Sequence, residues 1–172
     1  MRRWLVMGWV ALAVSGCGYR FVRYGAEPGG AHQSVAIRAL RNDSFEPGID
    51  SVMNDALRRE FLRRGALRIV EDPGGADLVI GGAVLPVVWS SRSFSSVNFA
   101  IEYEVTLRLR LEVARSDGEK IPLDATALAE SELYLASPDV EVTRKNREEA
   151  LRRVAAALAV RVHDVLVETA TP

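Results

Sequence analysis

Asn98-Phe99-Ala100-Ile101-Glu102-Tyr103-Glu104-Val105-Thr106-Leu107-Arg108-Leu109-Arg110-Leu111-Glu112-Val113 is the stretch that decides the fold. Every odd position from Phe99 to Val113 is apolar, and every even position except Ala100 is polar or charged. A period of two sends successive side chains to opposite faces of an extended chain. The stretch therefore predicts a strand with one buried and one wet face, paired antiparallel with a neighbour. At about 3.4 Å per residue it spans roughly 50 Å, long enough to curl or to project beyond the core of a small domain.

Downstream, Ser116-Asp117-Gly118 has the chemistry of a hairpin turn, and a second, less regular strand is expected from about Lys120 to Leu135. Upstream, Leu78 to Trp89 reads as one strand, bent or bulged at Gly81-Gly82 and kept off a central ladder position at Pro86. Ser90 to Val97 reads as a polar loop carrying Arg92. Shorter strands are expected at Ser34 to Leu40 and Leu67 to Val70, with a turn at Asp72-Pro73-Gly74-Gly75. Ile49, Val52, Met53, Ala56, Leu57 and Phe61 recur at helical spacing opposite Asp50, Asp55, Arg58, Arg59 and Arg63, and Gly65 follows as a C-terminal cap. Ser137-Pro138-Asp139 breaks the last strand, and Val140 to Lys145 reads as a polar connection. Asn146 with Glu149 then opens a final helix whose stripe is Leu151, Val154, Ala155, Leu158, Val162, Val165 and Leu166. Two amphipathic helices and a sheet apolar on one side make a two-layer α/β sandwich. The helices pack on one face of a mixed, largely antiparallel sheet of four to five strands, within a single domain at residues 34–172.

The N-terminus sets the compartment. Arg2 and Arg3 precede the apolar run Trp4 to Val14, and Ser15-Gly16 stand before Cys17. A cationic start, a short apolar core and small residues before a cysteine make residues 1–16 a lipoprotein signal peptide. As a membrane-spanning anchor the run falls short, since its eleven residues at about 1.5 Å each reach only half of a ~30 Å hydrocarbon core. Cys17 is the single cysteine, so within one chain there is no disulfide framework and no thiolate metal site. Its expected use is covalent: a diacylglycerol and an acyl chain, which together hold a protein to a membrane where one chain would not. Gly18, in place of an aspartate, permits sorting to the outer membrane in enteric-type bacteria. Residues 17–33, with turn residues from Gly25 to Gly30, read as the lipidated N-terminus and tether. Tyr19, Phe21 and Tyr24 in it either meet a lipid or protein surface or pack on the domain's edge.

Cleavage after Gly16 removes Arg2 and Arg3, leaving 20 basic against 23 acidic residues and a net charge of −3. A nucleic-acid binder needs the opposite excess. Catalytic chemistry is scarce. His32 and His163 are not within ligand spacing of each other, the serines of 90–96 lack a G-x-S-x-G context, and no phosphate-cradling glycine motif occurs. A carboxylate pair of Glu102 and Glu104 with Glu130 and Glu132 is conceivable, but alternating charge is what a wet strand face carries anyway. The expectation is a protein that is not an enzyme and holds neither metal nor cofactor.

The lipobox with Cys17-Gly18-Tyr19-Arg20-Phe21, the strand Val35-Ala36-Ile37, the helix end Glu60-Phe61-Leu62-Arg63-Arg64-Gly65 and the segment Ala76 to Val84 together resemble the lipopolysaccharide-assembly lipoproteins of the LptE type. Glu102-Tyr103-Glu104-Val105, Glu132-Leu133-Tyr134 and Asn146 to Leu151 extend the likeness over nearly the whole mature chain. The resemblance implies a lipid-anchored outer-membrane protein on the periplasmic side. It would plug and help assemble the LptD-type β-barrel translocon from inside the barrel lumen, and contact lipopolysaccharide on its way to the surface. It also implies that cationic side chains near the sheet ends touch the glycolipid; Arg92, Arg144 and Lys145 occupy comparable places. Two alternatives share anchor and fold: a pilot or accessory subunit of another secretion barrel, and a periplasmic glycolipid-binding module.

Overall fold

The computed structural model describes residues 33–94, 100–123 and 128–170. The signal peptide, Cys17, nearly all of the tether, and Asn98 and Phe99 of the long strand lie outside them. Eight strands and two long helices follow in the order β1 Ser34–Ile37, β2 Arg41–Asn42, α1 Ile49–Arg64, β3 Arg68–Ile69, β4 Leu78–Val84, β5 Val88–Phe94, β6 Ala100–Arg115, β7 Lys120–Ile121, β8 Ala129–Leu135 and α2 Val140–Ala170. A 3₁₀ turn at Pro73–Gly75 precedes β4, with the Asp72 carboxylate accepting from the Gly74 amide.

The long strand β6 is the spine. One edge pairs antiparallel first with β4, from Leu78↔Arg115 to Val84↔Leu109, and then with β5, from Val88↔Thr106 to Phe94↔Ala100. The Leu85 amide donates to Arg108 O between the two, so β4 and β5 follow one another along the same edge. The other edge pairs with β7 at Val113↔Ile121 and with β8 from Glu102↔Leu135 to Arg108↔Ala129. Beyond β4 the pairing turns parallel: β1 and β2 lie on β4, and β3 lies on β1.

The sheet thus differs from expectation in two ways: it has eight strands rather than four to five, and it is mixed rather than largely antiparallel. The count rises because lanes that read as single strands are interrupted, at Arg38 to Leu40 between β1 and β2 and at Leu85 to Val87, where Pro86 has no amide to donate. The parallel half is built from two- to four-residue strands, too short to show a period. Two further boundaries move. Ser90 to Phe94 is strand, not loop, because its polar side chains meet those of β6, with Ser93 Oγ 3.4 Å from Glu102. Helix α2 begins at Val140 rather than Asn146. Its cap is Asp139, whose carboxylate accepts from the Glu141 amide at 2.8 Å, while Asn146 instead donates to Leu135 O.

Both helices lie on one face of the sheet. Val105, Leu107, Leu109 and Val113 of β6 are buried beneath them with Leu78, Ile80, Phe61, Leu57, Leu158 and Leu166, while Arg108, Arg110 and Glu112 point to the outer face. Helix α1 ends as its sequence predicts: Gly65 adopts φ 65° and donates its amide to Phe61 O. Near that end Arg64 joins the helices, bonding Glu60 of its own helix and Asp164 of α2 at 2.5 Å each. Hydrogen bonds from Arg63 and then Arg64 outweigh burial and bring the Glu60 carboxyl down to about 2. Beside them His163 is fully buried, edge-on to Phe61 at 5.1 Å, and neither ring nitrogen has a hydrogen-bond partner. Burial holds its pKa below the usual histidine value.

Two predictions follow from this packing. At Gly82, φ is +148° and a Cβ would sit 2.0 Å from Arg110 O, whereas at neighbouring Gly81 it would meet only Arg38 at 3.9 Å. Gly82→Ala should therefore cost about 3 kcal/mol or more in a denaturant melt, and Gly81→Ala well under 1 kcal/mol. The second concerns pH. His163 must stay neutral in the folded chain, so its contribution is complete above the unfolded pKa of 6.5 and is lost as pH falls below it. Denaturant midpoints should drop between pH 7 and 5, and His163→Leu should flatten that interval. The further loss from Glu60, between 4.5 and about 2, should remain in the variant.

Candidate functional site

Helix α1 does not reach the β5 end of the spine, and there the sheet continues as the three-stranded ribbon β5-β6-β8, with α2's first turns across part of it. On the helix side, Trp89 of β5, Tyr103 of β6 and Tyr134 of β8 form a cross-strand aromatic cluster. Trp89 meets Tyr134 edge-on at 5.9 Å, and Tyr103 stacks on Tyr134 at 5.5 Å. The Arg147 guanidinium of α2 lies 4.4 Å above the Trp89 ring and pairs with Glu46. Trp89, Tyr103, Tyr134 and Arg147, with Val140 and Thr143, line an open cavity of about 500 Å³. Burial pushes the Tyr134 hydroxyl pKa up.

Exposed apolar side chains concentrate at this end of the sheet, on both of its faces. Val88, Phe94, Ile101, Leu133, Leu135, Val140 and Val142 are all exposed, Val140 at 82%; Val140 lines the cavity, whereas Val88, Leu133 and Leu135 lie on the outer face in register with Thr106, Glu104 and Glu102. Phe45 is fully exposed at the tip of the β2–α1 loop, beside Glu46. That loop is built to hold its shape: the Asn42 side chain accepts from Ser44 and donates to Glu46 O at 2.8 Å. An apolar crown of this kind on a small domain marks a surface made to be covered.

The cations expected to touch a ligand are placed differently from one another. Arg92 stands on β5 rather than in a loop, 3.3 Å from Glu104 on the outer face. Arg144 sits on α2 and is clamped between Glu141 and Glu148, which raise its pKa, while its own hydrogen bond lowers that of Glu141. Lys145, next to it, is exposed and engages no partner among the described residues. The structure does not gather the three into one cluster, because Arg92 and the α2 pair lie on opposite faces of the same end. Nor does it bring the four glutamates together: Glu102 and Glu104 face outward, whereas Glu130 and Glu132 face the helices and pair with Arg161 and Arg153. Among the described residues no group of three or more His, Cys, Asp or Glu converges as a metal site. No helix among them is long and apolar enough to cross a membrane.

Residues 33–165 match the LptE family, described as lipopolysaccharide-assembly, and the chain belongs to that family. Its fold is similar to that of the rare lipoprotein B from Shewanella oneidensis, with a TM-score of 0.55 at 16% identity over 78% of this chain and 96% of that one. It is also similar to an uncharacterized lipoprotein B from Nitrosomonas europaea, with a TM-score of 0.53 at 14% identity over 85% and 94%. No curated protein matches it in sequence.

Sequence reading missed the aromatic cluster and Arg147. The signal was present in Tyr103 and Tyr134, apolar-face positions of period-two strands, but register decides who meets whom. The other two tryptophans are Trp4 and Trp9, so in a chain shortened to begin at residue 17 the fluorescence of Trp89 reports on this site alone. Arg147→Met should shift Trp89 emission and, by leaving half-buried Glu46 unpaired, cost about 1 kcal/mol in a denaturant melt. Adding Glu46→Gln should recover most of that loss.

Proposed function

We propose that the chain is an outer-membrane lipoprotein, acylated on Cys17, that occupies the lumen of an LptD-type β-barrel, helps it assemble and contacts lipopolysaccharide bound for the surface. Its role is non-catalytic and uses no cofactor beyond the lipid anchor. The observation that carries the reading, in a chain of the LptE family, is the concentration of exposed apolar groups at the ribbon end, on the outer face at Val88, Leu133 and Leu135 and beside the Trp89, Tyr103 and Tyr134 cluster on the other face. Such a crown stabilises a complex by desolvation, at roughly 25 cal/mol per Å² covered, while the charged outer sheet face suits a polar lumen. Family membership supports lipopolysaccharide assembly as the process. For phosphate contact we assign Arg92 and Lys145 rather than Arg144, whose guanidinium is already saturated by two carboxylates.

Affinity purification of the acylated full chain in detergent tests the reading. An LptD-type barrel should co-elute, and Leu133→Glu with Leu135→Glu should lower its yield at least tenfold with folding intact. Depletion of the chain should leave the barrel misassembled and surface lipopolysaccharide reduced. Recovery of a different secretion barrel would favour the pilot alternative, and normal barrel and lipopolysaccharide levels on depletion would defeat the proposal.

A further inference from the structure

At the opposite end of the spine, on the outer sheet face, lies a second concavity of about 470 Å³ lined by Arg38, Arg41 and Arg115. It exists because the sheet lacks side chains there. Gly81 leaves the outer face of β4 bare, and the break between β1 and β2 falls beside the glycine pair. The stem of Arg38 lies across the gap, its Cβ and Cδ 3.9 Å from where a Gly81 Cβ would stand. The three guanidinium groups are poorly compensated. The Arg38 amide donates to Ile80 O, but its guanidinium has no hydrogen-bond or ion-pair partner among the described residues. Arg41 shares Asp43 with Arg110, at 3.8 and 3.7 Å, and Arg115 is 3.5 Å from exposed Glu119. Pairs this long and exposed contribute little. Among the described residues Glu112 is the single carboxylate lining the groove. A net positive pocket in a chain of net charge −1 is a local device and not a consequence of composition.

We propose that this groove binds a phosphate group, with Arg38, Arg41 and Arg115 as its ligands and the bare Gly81 floor as the space it occupies. Planar guanidinium forks match phosphate oxygens two at a time, and three forks around one floor fit a phosphate monoester or a pyrophosphate. The phosphate comes from a lipid headgroup or from a small soluble ligand. The site is independent of the barrel reading: Glu112 and Tyr103 are nine positions apart on β6, about 30 Å, and the aromatic cluster lies on the opposite face.

The test is calorimetric titration of the full acylated chain in a neutral detergent with inorganic pyrophosphate, dihexanoyl phosphatidic acid and, as control, dihexanoyl phosphatidylcholine. Saturable binding of one or both of the first two is expected, and none of the third. Binding of phosphatidic acid alone would identify a headgroup, and binding of pyrophosphate alone a soluble ligand. Arg38→Gln and Arg115→Gln should each weaken binding at least fivefold, and Gly81→Leu, which fills the floor without altering charge, should abolish it. Arg59→Gln, an exposed unpaired arginine of α1, should change nothing. Circular dichroism checks the fold of each variant. No saturable binding to either phosphate probe would overturn the proposal. So would wild-type affinity in folded Gly81→Leu or in the Arg38 and Arg115 variants, since attraction to charge in general would explain that without a groove.

Discussion

A helix residue advances about 1.5 Å and a strand residue about 3.4 Å, so a sixteen-residue helix cannot cover a sixteen-residue strand. Helix α1 spans roughly 24 Å against roughly 54 Å for β6, and this mismatch governs the rest of the structure. Where α1 and α2 both lie over the sheet, Leu107, Leu109 and Val113 are sealed with Phe61 and Leu158. Where α1 stops, the same period-two pattern continues with less above it, and Tyr103 and Ile101 keep part of their surface in water. Burying a Leu-sized side chain is worth about 2 kcal/mol, so leaving several exposed forgoes stability that a partner can supply.

The two ends of the spine are accordingly different in kind. The helix-capped end carries the arginine groove on its outer face and, on its inner side, the Glu60–Arg64–Asp164 ion pairs that tie α1 to α2, with buried, neutral His163 beside them. The ribbon end carries aromatic rings, exposed aliphatic groups and a rigid loop with Phe45 at its tip. Arg147 connects the ribbon to the body, through Trp89 on one side and Glu46 on the other. A one-sided arrangement of this sort suits a protein that is inserted or docked end-on.

Much of the build was legible in the residues. The alternation from Phe99 to Val113, the stripe from Ile49 to Phe61, and Gly65 as a cap each have one dominant local cause, and each appears where the pattern places it, within the described residues. The failures have common physical origins. Val140 to Lys145 contains β-branched residues that disfavour helix on propensity, yet the Asp139 cap and the packing of α2 override it. Ser90 to Phe94 is polar enough for a loop, but an edge strand with one wet face needs no more apolar content. The parallel pairings of β1, β2 and β3 depend on contacts between residues far apart in sequence, which no local window contains. At the candidate site the cations were visible as residue types. Their neutralisation, as with Arg144 between Glu141 and Glu148, depends on geometry.

The central claim is that the ribbon beyond α1 is the surface a partner covers. Hydrogen–deuterium exchange of the full chain, alone and in the detergent-extracted complex with its co-purifying barrel, measures this most directly. The account predicts that amides of Val88–Phe94 and Ala129–Leu135, each strand paired on one edge only, slow markedly in the complex, while those of Ser34–Ile37 and Leu78–Val84 are unchanged. Protection confined to the helix-capped end, with the ribbon exchanging as freely as before, would contradict it.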